Sequence, residues 1–151
     1  MRSEWISIDA SGGGRYDAYL SLPPAGRGPG LLLFQEIFGV NRHIRAVADQ
    51  YALDGFVVLA PDLFWRDAPR VELGYAGADR ERAMSLLKGT DPALLAADIP
   101  TSLAALRAGG PEPRHREARR PQRQAAAGRG RVRAMTWFST ALISAARAAA
   151  L

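Results

Sequence analysis

Two uninterrupted apolar runs, Gly30-Leu31-Leu32-Leu33-Phe34 and Phe56-Val57-Val58-Leu59-Ala60, stand on either side of a segment with helical spacing. Neither run alternates apolar with polar, so each requires cover on both faces, as a central strand of an α/β sheet has. Between them Ile44, Val47, Ala48, Tyr51 and Ala52 recur at i, i+3, i+4, i+7 and i+8, the stripe of a helix with one buried face. Asn41 is placed to cap that helix and Gly55 to end it in a left-handed conformation. Strand, helix and strand make a βαβ unit with a right-handed crossover. The first run stops at Gln35-Glu36 and turns through Gly39. In open α/β sheets ligands gather at that carboxyl edge. Spacing alone leaves two readings of Gln35 and Glu36: they mark where the strand surfaces, or they are delivered to a site.

The flanking segments fit the same class. Trp5 to Asp9 and Tyr16 to Leu22 alternate around Ser11-Gly12-Gly13-Gly14, the signature of an antiparallel hairpin. Pro23, Pro24, Gly26, Gly28 and Pro29 break regular structure before the first apolar run. Pro61-Asp62 ends the second run, and 63–75 reads as irregular. Ala78 to Leu87 reads as a helix with Ala83, Leu86 and Leu87 apolar and Gly89 as its stop. Ala93 to Arg107 is helical in spacing, with Leu103 and Leu106 toward the core. Pro100 is expected to interrupt it and Asp98 to cap the second part.

Gln35-Glu36-Ile37-Phe38-Gly39-Val40-Asn41, then His43-Ile44-Arg45, then Leu59-Ala60-Pro61-Asp62-Leu63-Phe64, resemble the dienelactone hydrolase family, whose members are α/β-hydrolases. The resemblance runs from about Trp5 to Leu106. It implies a partial α/β-hydrolase sandwich: an N-terminal hairpin plus parallel strands with flanking helices, the C-terminal part missing. It also implies hydrolysis of an ester or lactone, dienelactones being the name-giving substrates, by a Cys-His-Asp triad. Two site residues follow from it. Glu36 matches the carboxylate that contacts the nucleophilic thiol at rest, and proton exchange between such a pair arms or disarms the thiol. Ile37 matches the residue whose backbone N–H is an oxyanion donor. Pro61-Asp62-Leu63 matches a structural motif that shapes the loop beside the site. Arg80 and Arg82 fall near where the family places an arginine for a substrate carboxylate, but Asp79 and Glu81 beside them favour a solvated helix face. No cofactor or metal is implied, the partner is a small-molecule ester or lactone, and the family is usually monomeric.

The remaining chain departs from that pattern. The 151 residues contain no cysteine, which removes disulfides, thiolate metal sites and the family nucleophile together. No Gly-x-Cys-x-Gly or Gly-x-Ser-x-Gly elbow occurs. His43 lies on a helix face and His115 matches nothing, so neither is the triad histidine. After Gly109-Gly110 the composition changes, and no apolar strand is expected to follow. That leaves the edge of the last strand unpaired and an apolar face uncovered, so the chain is expected to aggregate when expressed alone.

Charge divides the chain at the same place. Residues 1–110 hold eleven Lys+Arg and thirteen Asp+Glu, whereas 111–151 hold nine Arg and two Glu, so the net charge of +5 belongs to the tail. The division expected is 1–108, the N-terminal part of a dienelactone hydrolase-like domain, and 109–151, an Arg/Ala-rich tail, disordered or partly helical. Arg114 to Arg120 can be encoded by CGG CAC CGG GAA GCT CGG CGT followed by C. Read one base later, this gives Gly-Thr-Gly-Lys-Leu-Gly-Val, similar to the family's approach to its nucleophile strand, so a frameshift is the reading of the tail. The alternative is a small α/β binding module whose basic tail contacts nucleic acid or an acidic partner. No nucleic-acid motif accompanies the arginines, and nucleic acid is not the expected partner. No apolar run reaches the ~20 residues of a membrane span, nor does a signal-length apolar core follow the N-terminus. A cytoplasmic protein without a membrane partner is expected.

Overall fold

A computed structural model describes residues 1–108 in full and the backbone of 109 and 133–135. The order is β1 (Arg2–Asp9), β2 (Arg15–Leu22), β3 (Gly30–Leu33), α1 (Arg42–Leu53), β4 (Val57–Pro61), α2 (Gly77–Gly89), α3 (Pro92–Gly109) and β5 (Arg133–Met135). The strands form one mixed sheet in the order β1-β2-β4-β3-β5. β1 and β2 pair antiparallel from Arg2 opposite Leu22 to Asp9 opposite Arg15. β2 joins β4 antiparallel, and β3 and β4 run parallel with Leu31 opposite Val58. The hairpin and the βαβ unit expected from the sequence are both present.

Strand alternation sorts the core onto two faces. Leu32, Phe34, Val57 and Leu59 pack with Leu95, Ile99, Leu103 and Leu106 of α3. Leu31, Leu33, Val58 and Ala60 pack with Ile44, Ala48 and Ala52 of α1. Both faces of β3 and β4 are therefore covered, which is why neither run could alternate. Fully burying each such Leu, Ile or Phe contributes about 1.5–3 kcal/mol over leaving it in water. Asn41 caps α1 as expected, its side chain accepting from the Ile44 N–H at 3.2 Å. Gly55 follows with φ +99°, the left-handed conformation that ends the helix. Among the described residues, no helix is long and apolar enough to cross a membrane.

Two expectations are corrected. α3 is one helix of 18 residues with Pro100 inside it, and Asp98 caps nothing. Pro100 has no N–H to give the Ala96 carbonyl four residues earlier, and the packing of Leu95, Ile99, Leu103 and Leu106 against the sheet carries the helix through it. The Asp98 carbonyl accepts from Tyr16 Oη at 3.2 Å and from Thr101 Oγ1 at 2.9 Å. The Asp98 carboxylate is occupied elsewhere, taking Arg66 Nη1 at 2.7 Å, Arg66 Nη2 at 3.0 Å and Trp65 Nε1 at 2.9 Å.

The second correction concerns the strand not expected after α3. Arg133–Met135 pairs parallel with β3, Leu31 opposite Arg133 and Leu33 opposite Met135. The edge of β3 expected to be unpaired is thus covered over three residues. Pairing uses backbone groups that every non-proline residue carries, so an arginine-containing segment without an apolar run can still supply a strand. His115 and the rest of the expected tail lie outside the described residues.

Candidate active site

Two residues past the end of β3 the chain places a buried polar residue. Gln35 is wholly buried, and its Oε1 accepts the Leu63 N–H at 3.0 Å, tying the exit of β3 to the exit of β4. Its Nε2 has no hydrogen-bond partner among the described residues. The sequence left Gln35 between surface marker and site residue; it is neither exposed nor on the site wall, but a buried tie beneath it.

Glu36 to Gly39 form the turn above that tie, with the Gly39 N–H directed at the Glu36 carbonyl at 3.4 Å. Gly39 has φ +82°, and a Cβ built there would lie 2.0 Å from the Val71 carbonyl oxygen. Only glycine meets both demands without displacing backbone. Glu36 and Ile37 are both half-buried, and the Ile37 side chain packs against the cluster of Phe64, Val71, Leu73 and Ala83.

A second chain segment holds this turn from outside. The Leu73 N–H donates to the Phe38 carbonyl at 2.9 Å, and Asn41 Nδ2 donates to the Leu73 carbonyl at 3.2 Å. Arg45 donates to the Val40 carbonyl at 3.0 Å and pairs with Glu72. Tyr75 then reaches across, its hydroxyl donating to Glu36 Oε2 at 3.3 Å. Its ring rests on Phe38, centroids 4.5 Å apart, with His43 edge-on at 6.4 Å. Beside it a cleft of about 500 Å³ is lined by residues including Asn41, His43, Glu72 and Tyr75. No sequence signal marks Tyr75, which sits in a stretch without periodicity.

Asp62 builds the loop that brings this segment into place. Its buried carboxylate accepts the Phe64 N–H at 3.0 Å and the Arg70 N–H at 2.6 Å. Burial pushes its pKa up, and the hydrogen bonds from the Arg70 and Phe64 backbone oppose that rise. Arg70 has φ +59°, an uncommon conformation for a residue with a Cβ. Its guanidinium lies 3.6 Å from the centre of the Trp5 ring and pairs with Asp17 at 3.2 Å. Asp62 therefore orders a loop, in keeping with the structural part its motif implied. Arg80 and Arg82 are exposed on α2, and His43 is exposed at the start of α1.

The profile of the dienelactone hydrolase family matches residues 16–116. The chain belongs to the dienelactone hydrolase family. A carboxymethylenebutenolidase of Pseudomonas sp. strain P51 is 53% identical over 72 residues, covering 48% of this chain and 30% of the relative. Carboxymethylenebutenolidase 1 of Cupriavidus pinatubonensis is 37% identical over 92 residues, covering 60% of this chain and 39% of the relative. The solved structure named m3DLH superposes with a TM-score of 0.61 at 24% identity, covering 97% of this chain and 55% of that one. The last comparison bears on the fold alone, an α/β sheet with flanking helices matched over about half of the larger family structure. The chain thus spans 30–39% of the length of these two curated relatives.

Proposed function

We propose that this chain carries the oxyanion-turn part of an ester- or lactone-hydrolysing site, and that its 151 residues do not hydrolyse such substrates unaided. The observation that carries the reading is the turn Glu36 to Gly39, fixed at the carboxyl end of β3 by Gly39 packing against Val71 and by the Leu73–Phe38 hydrogen bond. In this reading the Ile37 N–H points at the substrate carbonyl oxygen, where negative charge develops as a nucleophile adds. A fixed dipole stabilises that charge without reorganising. Glu36 is the carboxylate that exchanges a proton with the nucleophile. Addition itself needs a nucleophile activated by a base. The chain has no cysteine and no elbow motif, so the family's nucleophile for that step is missing from it. The substrate class is a small ester or lactone.

Two measurements test this together. In a titration with a small unsaturated lactone followed by ¹H–¹⁵N NMR, the Ile37 amide resonance is expected to move, and Gly39→Ala to abolish the movement. Hydrolysis of the lactone or of 4-nitrophenyl acetate is expected to stay at the buffer rate. Turnover that Glu36→Gln removes would overturn the second half of the proposal. A lactone that perturbs only amides remote from the turn would overturn the first.

A further inference from the structure

We propose that Tyr75 is the positioning residue for Glu36, an inference that rests on Glu36 being the carboxylate of the site. Among the described residues, the Tyr75 hydroxyl is the hydrogen-bond donor to the Glu36 carboxylate, at 3.3 Å, and no ion pair involves Glu36. A carboxylate on a half-exposed turn otherwise samples several rotamers, so a single directed donor sets which way its second oxygen faces.

The donor is itself held before it acts. The Phe38 ring lies against the phenol at 60°, and the His43 ring meets it at 76°. The backbone on its N-terminal side is fixed twice: Leu73 is bonded to Phe38 and Asn41, and the Gly74 N–H donates to Asp79 Oδ2 at 2.8 Å. Ordering a phenol restrained this way adds little further entropy cost when it binds the carboxylate. This arrangement also accounts for an aromatic residue left 52% exposed at the mouth of a cleft. Tyr75 touches the Glu36 carboxylate, so it acts through Glu36.

The test uses the full chain and reads Glu36 directly. Carbodiimide-promoted coupling of an amine to Glu36 is followed by peptide mass spectrometry, with the exposed carboxylate of Asp54 as internal standard. Tyr75→Phe removes the hydroxyl and keeps the ring. It is expected to speed labelling of Glu36 about two- to tenfold, the range set by the net free energy of one hydrogen bond. Labelling of Asp54 and the melting temperature should stay unchanged. Tyr75→Leu, which also removes the ring, should accelerate Glu36 labelling at least as much as Tyr75→Phe does. Wild-type labelling in Tyr75→Phe overturns the proposal, as does acceleration confined to Tyr75→Leu, because the ring would then merely shield the site. The outcome is separable from the reading beneath it. If Glu36 labelling responds to Tyr75→Phe while the Ile37 amide ignores the lactone, the positioning holds and the proposed function fails.

Discussion

Replacing Asp98 with alanine should be among the most damaging single changes in the described part of this chain. Its carboxylate is 2% exposed and is met by both guanidinium nitrogens of Arg66 and by the Trp65 indole N–H. Removing it leaves a cation and a ring N–H facing an empty acceptor. Breaking a buried ion pair by deleting one partner costs about 3–5 kcal/mol. The Arg66 side chain is 26% exposed and can turn partly to water, which places the cost near the lower end. The unpaired indole N–H adds about 1 kcal/mol. The expected loss is therefore about 3–4 kcal/mol, or a fall in melting temperature of more than about 12 °C for a domain of this size. Urea unfolding followed by tryptophan fluorescence is the assay, because Trp65 stacks on Tyr16 at 5.8 Å within the same cluster. The double variant Arg66→Met with Asp98→Ala should lose less than the two single losses added, with a coupling of about 2 kcal/mol. A loss below about 1 kcal/mol for Asp98→Ala, or strict additivity in the double variant, would refute the argument that this buried pair ties α3 to the loop after β4.

Gly39→Ala forces a Cβ to within 2.0 Å of a backbone oxygen at a positive φ, so it should destabilise the chain by at least about 2 kcal/mol. Its NMR spectrum should change first at Glu36 and Ile37; changes spread evenly over the sheet would contradict a local effect. The Asp62 carboxyl gives a pH dependence of definite sign. Its folded pKa is raised above the ordinary 3.8 by burial, so the native state holds the proton more tightly than the unfolded chain does. The stabilisation is full below the ordinary value and is lost as pH rises through the raised one. Relative to Asp62→Asn, the wild type should lose stability with rising pH across that window in urea titrations. A difference that is flat would show that the two backbone N–H groups balance burial, and one that rises with pH that they outweigh it.

The apolar runs were legible because pattern and neighbour cover are the same fact. A strand buried on both faces cannot alternate, so 30–34 and 56–60 announced parallel strands and the helix between them. The cap at Asn41 and the stop at Gly55 were legible because both act on backbone within a few residues. Pro100 misled for the matching reason: its local preference is to end a helix, yet Leu95, Ile99, Leu103 and Leu106 on both sides of it bury against the sheet with Leu32 and Leu59. No local rule contains that sheet face. Likewise the buried end of Gln35 depends on Leu63, and the grip on Glu36 depends on Tyr75.

What the sequence by itself determined was the α/β class, the order of the first elements, the family motif at Glu36 and Ile37, and the lack of a cysteine to serve as nucleophile. These follow from residue identity and short-range periodicity. Tertiary structure alone decided that α3 runs through its proline, that Asp98 is an ion-pair partner and not a cap, that Arg133–Met135 pairs with β3, and that 71–75 closes over the turn. Each of those depends on groups distant in sequence meeting in space, where apolar burial and satisfied hydrogen bonds together outweigh a single residue's local preference.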